Sequence, residues 1–96
     1  LLSVEQLDLY KGQSSHGFFY LGVALYKLDY YEESVKAFFK SGEIGGMTAQ
    51  LNYNLGLAYF KLENYNLAVD HLKQCTIMDP LHRYAFNNLA YIYNIH

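Results

Sequence analysis

The chain has 96 residues, 52% of them apolar, which suits one compact folded unit and argues against disorder. Its formal net charge is −2 and its lysines and arginines stand singly, so no basic run is present to track a nucleic-acid backbone or an anionic membrane. No apolar run approaches the roughly 20 residues that span a bilayer. No signal peptide is visible, and the single Cys75 cannot form an internal disulfide, which points toward a reducing compartment such as the cytoplasm without deciding it.

The chain opens Leu1-Leu2-Ser3 with no initiating Met, as a processed or excised piece would. Val4, Leu7 and Tyr10 lie 34 residues before Phe38, Ser41 and Ile44, so residues 1–14 read as the second helix, about 2–11, of a truncated unit. Apolar residues then recur at helical spacing, Phe18, Leu21, Leu25 and Leu28 followed by Tyr31, Val35 and Phe38, which predicts helices over about 15–28 and 31–43. Asp29 with Glu32 has capping-box spacing for the second of these. Gly42, Gly45 and Gly46 are expected to end it and loosen the turn that follows.

An offset of 34 residues superposes this unit on the next. Leu21-Gly22 falls on Leu55-Gly56, Ala24 on Ala58, Lys27-Leu28 on Lys61-Leu62, Tyr31 on Tyr65 and Val35 on Val69. Helices are therefore predicted over about 48–62 and 65–78, with Thr48 as an N-cap. Gly22 and Gly56 lie inside helices, where glycine costs about 1 kcal/mol relative to Ala; two helices crossing too closely to admit a side chain would account for that. A third copy starts at Arg83, with Phe86, Leu89-Ala90 and Tyr93 in register. Asp79-Pro80 reads as N-cap and first turn of its helix, about 80–95. The single domain 1–96 thus divides into 1–14, a repeat over 15–48, a repeat over 49–82, and the first helix of a further repeat over 83–96. Both ends are cut inside a repeat and neither carries a polar capping face, so Leu89, Ile92 and Ile95 are expected to be partly uncovered.

The pattern Asn52-x2-Leu55-Gly56-x2-Tyr59, then Ala68-x3-Leu72, then Pro80 resembles the tetratricopeptide repeat, with Asn52 in place of the first bulky residue and Leu72 in place of the later aromatic. The unit over 15–48 keeps Phe18, Leu21-Gly22 and Phe38 but has Leu25, Ser34 and Gly46 at the remaining positions. The resemblance covers the whole chain. It implies an all-α fold, a right-handed superhelix (α-solenoid) of antiparallel helix pairs, with about six helices here.

No catalytic, cofactor or metal site is expected. The four histidines, His16, His71, His82 and His96, show no metal-ligand pairing on one helix, and no nucleophile elbow, phosphate-binding loop or Cys-x-x-Cys motif occurs. Cys75 repeats the position of Ser41 and reads as a small core residue.

Binding is the expected role. The core stripe of each first helix leaves a second apolar stripe: Phe19, Val23 and Tyr26, then Tyr53, Leu57 and Phe60, with Tyr84 and Tyr91 on the corresponding side of the third. The alternative is that much of this stripe packs on neighbouring helices. The resemblance implies that this face lines a concave groove, and tyrosine suits binding hot spots. Asn54 and Asn88 lie one period apart, Asn87 flanks the latter, and Tyr20 takes the slot in the first full repeat. A carboxamide donates and accepts, so it can pair with the backbone of an extended peptide, as asparagines do at this slot in related arrays. The Lys-Asn-Arg clamp that related repeats use for acidic chaperone tails is missing here. The expected partner is a peptide or protein segment. The rivals are self-association through exposed terminal helices and an accessory repeat region of a larger enzyme.

Overall fold

The computed structural model describes residues 14–95, and all regular structure among them is helical. The helices are α1 (Ser15–Lys27), α2 (Tyr31–Gly45), α3 (Ala49–Lys61), α4 (Tyr65–Met78) and α5 (Arg83–Ile95). These are five of the about six expected; the helix expected over 2–11 lies outside the described residues. The chain divides into two compact units at Met47/Thr48, the first holding α1 and α2 and the second α3, α4 and α5.

In the first unit Ser14 caps α1, its hydroxyl accepting from Gly17 N at 2.9 Å. The helix ends in a tight reversal in which Asp29 takes φ 66° and the Tyr30 amide reaches back to Leu25 O at 2.9 Å. The second unit repeats the device one period on, with Glu63 at φ 61° and Asn64 N bonded to Tyr59 O at 2.9 Å. Two non-glycine residues in the left-handed region at equivalent positions show that the repeat is three-dimensional. Asp29 is consequently unable to form the expected capping box. Its carboxylate instead accepts from the Tyr31 hydroxyl at 2.8 Å, and Tyr30 precedes α2 with no side-chain cap. Gly42 and Gly45 belong to α2, and Gly46, at φ 91°, ends it.

Each helix pair is antiparallel and closes on its glycine. A Cβ at Gly22 would lie 2.6 Å from the Phe38 ring, and one at Gly56 would lie 2.7 Å from Leu72 Cγ and 3.3 Å from the Ala68 carbonyl. Phe38 and Leu72 are fully buried and cannot retreat. In the first unit Ser34 adds a bond to Gly22 O at 2.7 Å, while Ser15 and Ser41 exchange hydroxyl-to-carbonyl bonds at 2.8 and 2.7 Å at the far end of the pair. Cys75 stands where Ser41 does and is buried against Ala68, Leu72, Ala85, Leu89 and Ile92, a small core residue as expected.

The second unit departs from expectation around α5. The helix begins at Arg83 rather than near Pro80, because Asp79 closes α4 and turns its carboxylate to Leu81 N at 3.2 Å. Leu89 and Ile92 are buried rather than partly uncovered, since α5 lays them on Ala68, Leu72 and Cys75. Ile95 is exposed, and so are Phe86, Ala90 and Tyr93, the positions equivalent to those that meet a second helix in each complete repeat.

Gly22→Val and Gly56→Val should each lower stability by roughly 2 kcal/mol, the cost of forcing extra carbons into a packed crossing. Urea denaturation checks this, and a loss of less than about 0.5 kcal/mol, the scale of an ordinary surface change, would remove the close-crossing account.

Candidate functional site

Within the first unit, Phe19, Tyr20 and Tyr26 all lie on α1, but they face different surroundings. Phe19 is half-buried, its ring 5.9 Å from Phe38 and 5.5 Å from Tyr20, and Tyr20 is 65% exposed. Tyr26 packs edge-on against Tyr31 at 5.3 Å.

The second unit gathers the remaining expected site residues along α3 and α5. Asn88 donates through Nδ2 to Tyr84 O at 2.8 Å and to the Tyr53 hydroxyl at 3.3 Å. The Tyr53 ring lies 4.7 Å from His82, which in turn meets Tyr84 at 6.4 Å. Burial pushes the Tyr53 hydroxyl up from its usual pKa, partly countered by the hydrogen bond with Asn88, so it stays protonated near neutral pH. Further along the helices Phe60 contacts Tyr91 at 5.9 Å and Tyr65 at 5.5 Å. Tyr53 and Phe60 also pack on the core beneath, so part of the stripe does pack on neighbouring helices. Tyr84, Tyr91 and Asn87 are exposed, while Asn54 and Asn88 are half-buried.

Asn54 and Asn88 use opposite ends of their carboxamides internally. Asn54 accepts through Oδ1 from Gln50 Nε2 at 2.9 Å, which leaves its NH2 as a donor. Asn88 spends its NH2 on Tyr84 and Tyr53, which leaves its oxygen as an acceptor. One N–H and one C=O are what a peptide backbone needs to be held without its side chains being read.

A buried polar group on the α3–α4 interface was not anticipated. Asn52 is 4% exposed and donates to Thr48 O and to Met78 Sδ, both at 3.3 Å. Its oxygen therefore faces His71 Nδ1, 2.9 Å away, so Nδ1 carries the ring proton. Tyr59 stacks on this imidazole at 5.5 Å and 14°. Burial lowers the His71 pKa, against an opposing pull from Asp70. The signal in the sequence was Asn52 itself, a polar residue at the slot that Phe18 fills one period earlier.

Residues 49–80 match the tetratricopeptide repeat family. The chain is 35% identical to intraflagellar transport protein 70A of Xenopus tropicalis over 52 residues, which is 54% of this chain and 8% of the relative. It is 36% identical to intraflagellar transport protein 70B of Mus musculus over 73 residues, 75% of this chain and 11% of the relative. For intraflagellar transport protein 70B of Homo sapiens the identity is 37% over 54 residues, 56% and 8% of the two chains. The chain thus spans about a tenth of the length of these curated relatives. No helix among the described residues is long and apolar enough to cross a membrane.

Because the folded state holds His71 with a depressed pKa, the unfolded state binds its proton first. Stability should be fully present above about pH 6.5, the unperturbed histidine value, and should fall as the pH drops from there through the lower folded value. His71→Gln, followed by urea denaturation across this range, should flatten that dependence. Asn52→Ala should cost about 1–3 kcal/mol at neutral pH by removing a buried carboxamide together with its hydrogen bonds to His71, Thr48 and Met78.

Proposed function

Since the chain belongs to the tetratricopeptide repeat family, a family of protein-interaction scaffolds, we propose that it binds an extended peptide segment of a partner protein on the face of its first helices. Asn54 and Asn88 hold the peptide backbone, one as donor and the other as acceptor, while Tyr53, Phe60, Tyr84 and Tyr91 supply contact area. Asn87 stands at the exposed edge of this face. In the first unit, taken by itself, Phe19, Tyr20 and Tyr26 are the residues of α1 proposed for the same role.

The observation that carries this proposal is the complementary leftover valence of two asparagines one period apart. Each backbone bond is worth about 1 kcal/mol net, so the amides fix register and the aromatic rings provide most of the affinity. Rings already held by Tyr53–His82 and Phe60–Tyr91 contacts lose little freedom on binding, which favours this face over a mobile one. The likeness to intraflagellar transport proteins supports a partner from a comparable setting, another protein of a transport assembly.

A second reading, association of copies, is favoured by the exposure of Phe86, Tyr93 and Ile95 on α5. Light scattering on dilution separates the two. A strict monomer removes this reading, whereas an oligomer that dissociates in Phe86→Asp/Ile95→Asp supports it.

Peptides selected on the 96-residue chain from a displayed random library provide the direct test of the face. Asn54→Ala/Asn88→Ala should weaken the selected peptides by tenfold or more, roughly the loss of two hydrogen bonds, with helix content unchanged by circular dichroism. Unchanged affinity would sink the proposal.

A further inference from the structure

Three first helices begin on residues one period apart, Ser14, Thr48 and His82. Each accepts from the amide three residues on: Ser14 Oγ from Gly17 at 2.9 Å, Thr48 Oγ1 from Leu51 at 3.1 Å, and His82 Nδ1 from Ala85 at 3.1 Å. A hydroxyl can accept across the whole physiological range. An imidazole nitrogen accepts only while it keeps its lone pair, and histidine is the side chain that changes charge between about pH 5 and 8. A backbone amide can only donate, so the bond to Ala85 fixes His82 as the neutral ring with its proton on Nε2.

We propose that His82 is a pH-operated cap, which closes the first turn of α5 when neutral and releases it when protonated. Two effects act in the same direction. A proton on Nδ1 converts the acceptor into a donor facing the Ala85 N–H. The ring's positive charge also lies at the positive end of the α5 dipole, where cations are disfavoured.

The groups around the ring come from three elements. From α3 there is Tyr53, 4.7 Å away, whose raised pKa keeps it neutral throughout this range. From α5 there are Tyr84 at 6.4 Å and the adjacent Arg83. From the end of α4 there is Asp79, whose carbonyl accepts from the His82 amide at 3.1 Å while its carboxylate is engaged with Leu81 N. Releasing the turn frees the His82–Tyr53 ring contact and loosens Tyr84, whose carbonyl holds Asn88. Acid would therefore unmake the proposed peptide face from its end, although the cap itself does not depend on that face binding anything.

Amide exchange by NMR on the 96-residue chain tests the proposal, with the protection of Ala85 expressed relative to Leu55 in α3 so that global unfolding cancels. Relative protection at Ala85 should fall roughly fivefold from about pH 8 to about pH 5, the factor that one N-cap bond of about 1 kcal/mol provides. His82→Ser should hold it high at both pH values, and His82→Ala should leave it low at both. The neutral-pH imidazole nitrogen shifts should report the Nε2–H tautomer at His82. A flat response in the unaltered chain would overturn the proposal, and so would an Nδ1–H tautomer. A response that persists in His82→Ser would also overturn it, assigning the titration to a group other than His82.

Discussion

The absence of a side chain at Gly22 and Gly56 is the constraint on which both units rest. Phe38 and Leu72 occupy the space that a Cβ would need, and each is sealed from solvent. With the two helices of a pair so close, the short turns at 28–30 and 62–64 can join them, and each turn accepts a non-glycine residue at positive φ to do so. The helical cost of glycine, about 1 kcal/mol per site, is offset by burying an aromatic ring or a leucine at the crossing, worth about 1.5–3 kcal/mol. One side of the first helix is committed to this crossing, and the tyrosines and asparagines of the candidate face stand on the residues left over.

The repeats share geometry but not chemistry, and the differences fall at equivalent slots. Ser15 and Ser41 lock the open end of the first pair by reciprocal hydrogen bonds, where the second unit has Ala49 beside Cys75 in an apolar cluster. Ser34 bonds the carbonyl of the crossing glycine, where Ala68 simply fills. Phe18 is core, whereas Asn52 at its position recruits His71, Thr48 and Met78. Among the described residues no buried side-chain nitrogen or oxygen lacks a partner, so each polar replacement brought its own compensation. The same slot logic makes His82 unusual, since it performs the task of Ser14 and Thr48 with an imidazole nitrogen in place of a hydroxyl.

The sequence was sufficient where a local pattern has one physical solution. A 34-residue recurrence with helical periodicity, glycines inside it, and Thr48 ahead of an apolar helix all pointed to features that the fold displays. It failed where two local solutions compete. Asp79-Pro80 suits an N-cap as well as it suits a turn, and here it forms the turn: Asp79 closes α4 and accepts from Leu81 N, while His82 accepts from Ala85 N at the start of α5. Asp29 and Glu32 carry capping-box spacing, yet the reversal from α1 needs Asp29 in the left-handed region. His82 could have been found from the period alone, as the residue one repeat after Thr48, had Asp79 not offered a more familiar cap.

What the sequence by itself determined is the repeating unit, its helices, its crossing glycines and the residue types that each first helix holds outside its core stripe, because these follow from spacing along a helix. Only the tertiary structure decided what those residues do for one another. Asn54 is left with a donor and Asn88 with an acceptor because of partners that sequence spacing does not name. Asn52 and His71 became a hydrogen-bonded pair because 19 residues of chain fold back on themselves. The glycine crossings fare differently: local spacing marks them and tertiary packing explains them, since a side chain is missing at the point where a second helix must fit.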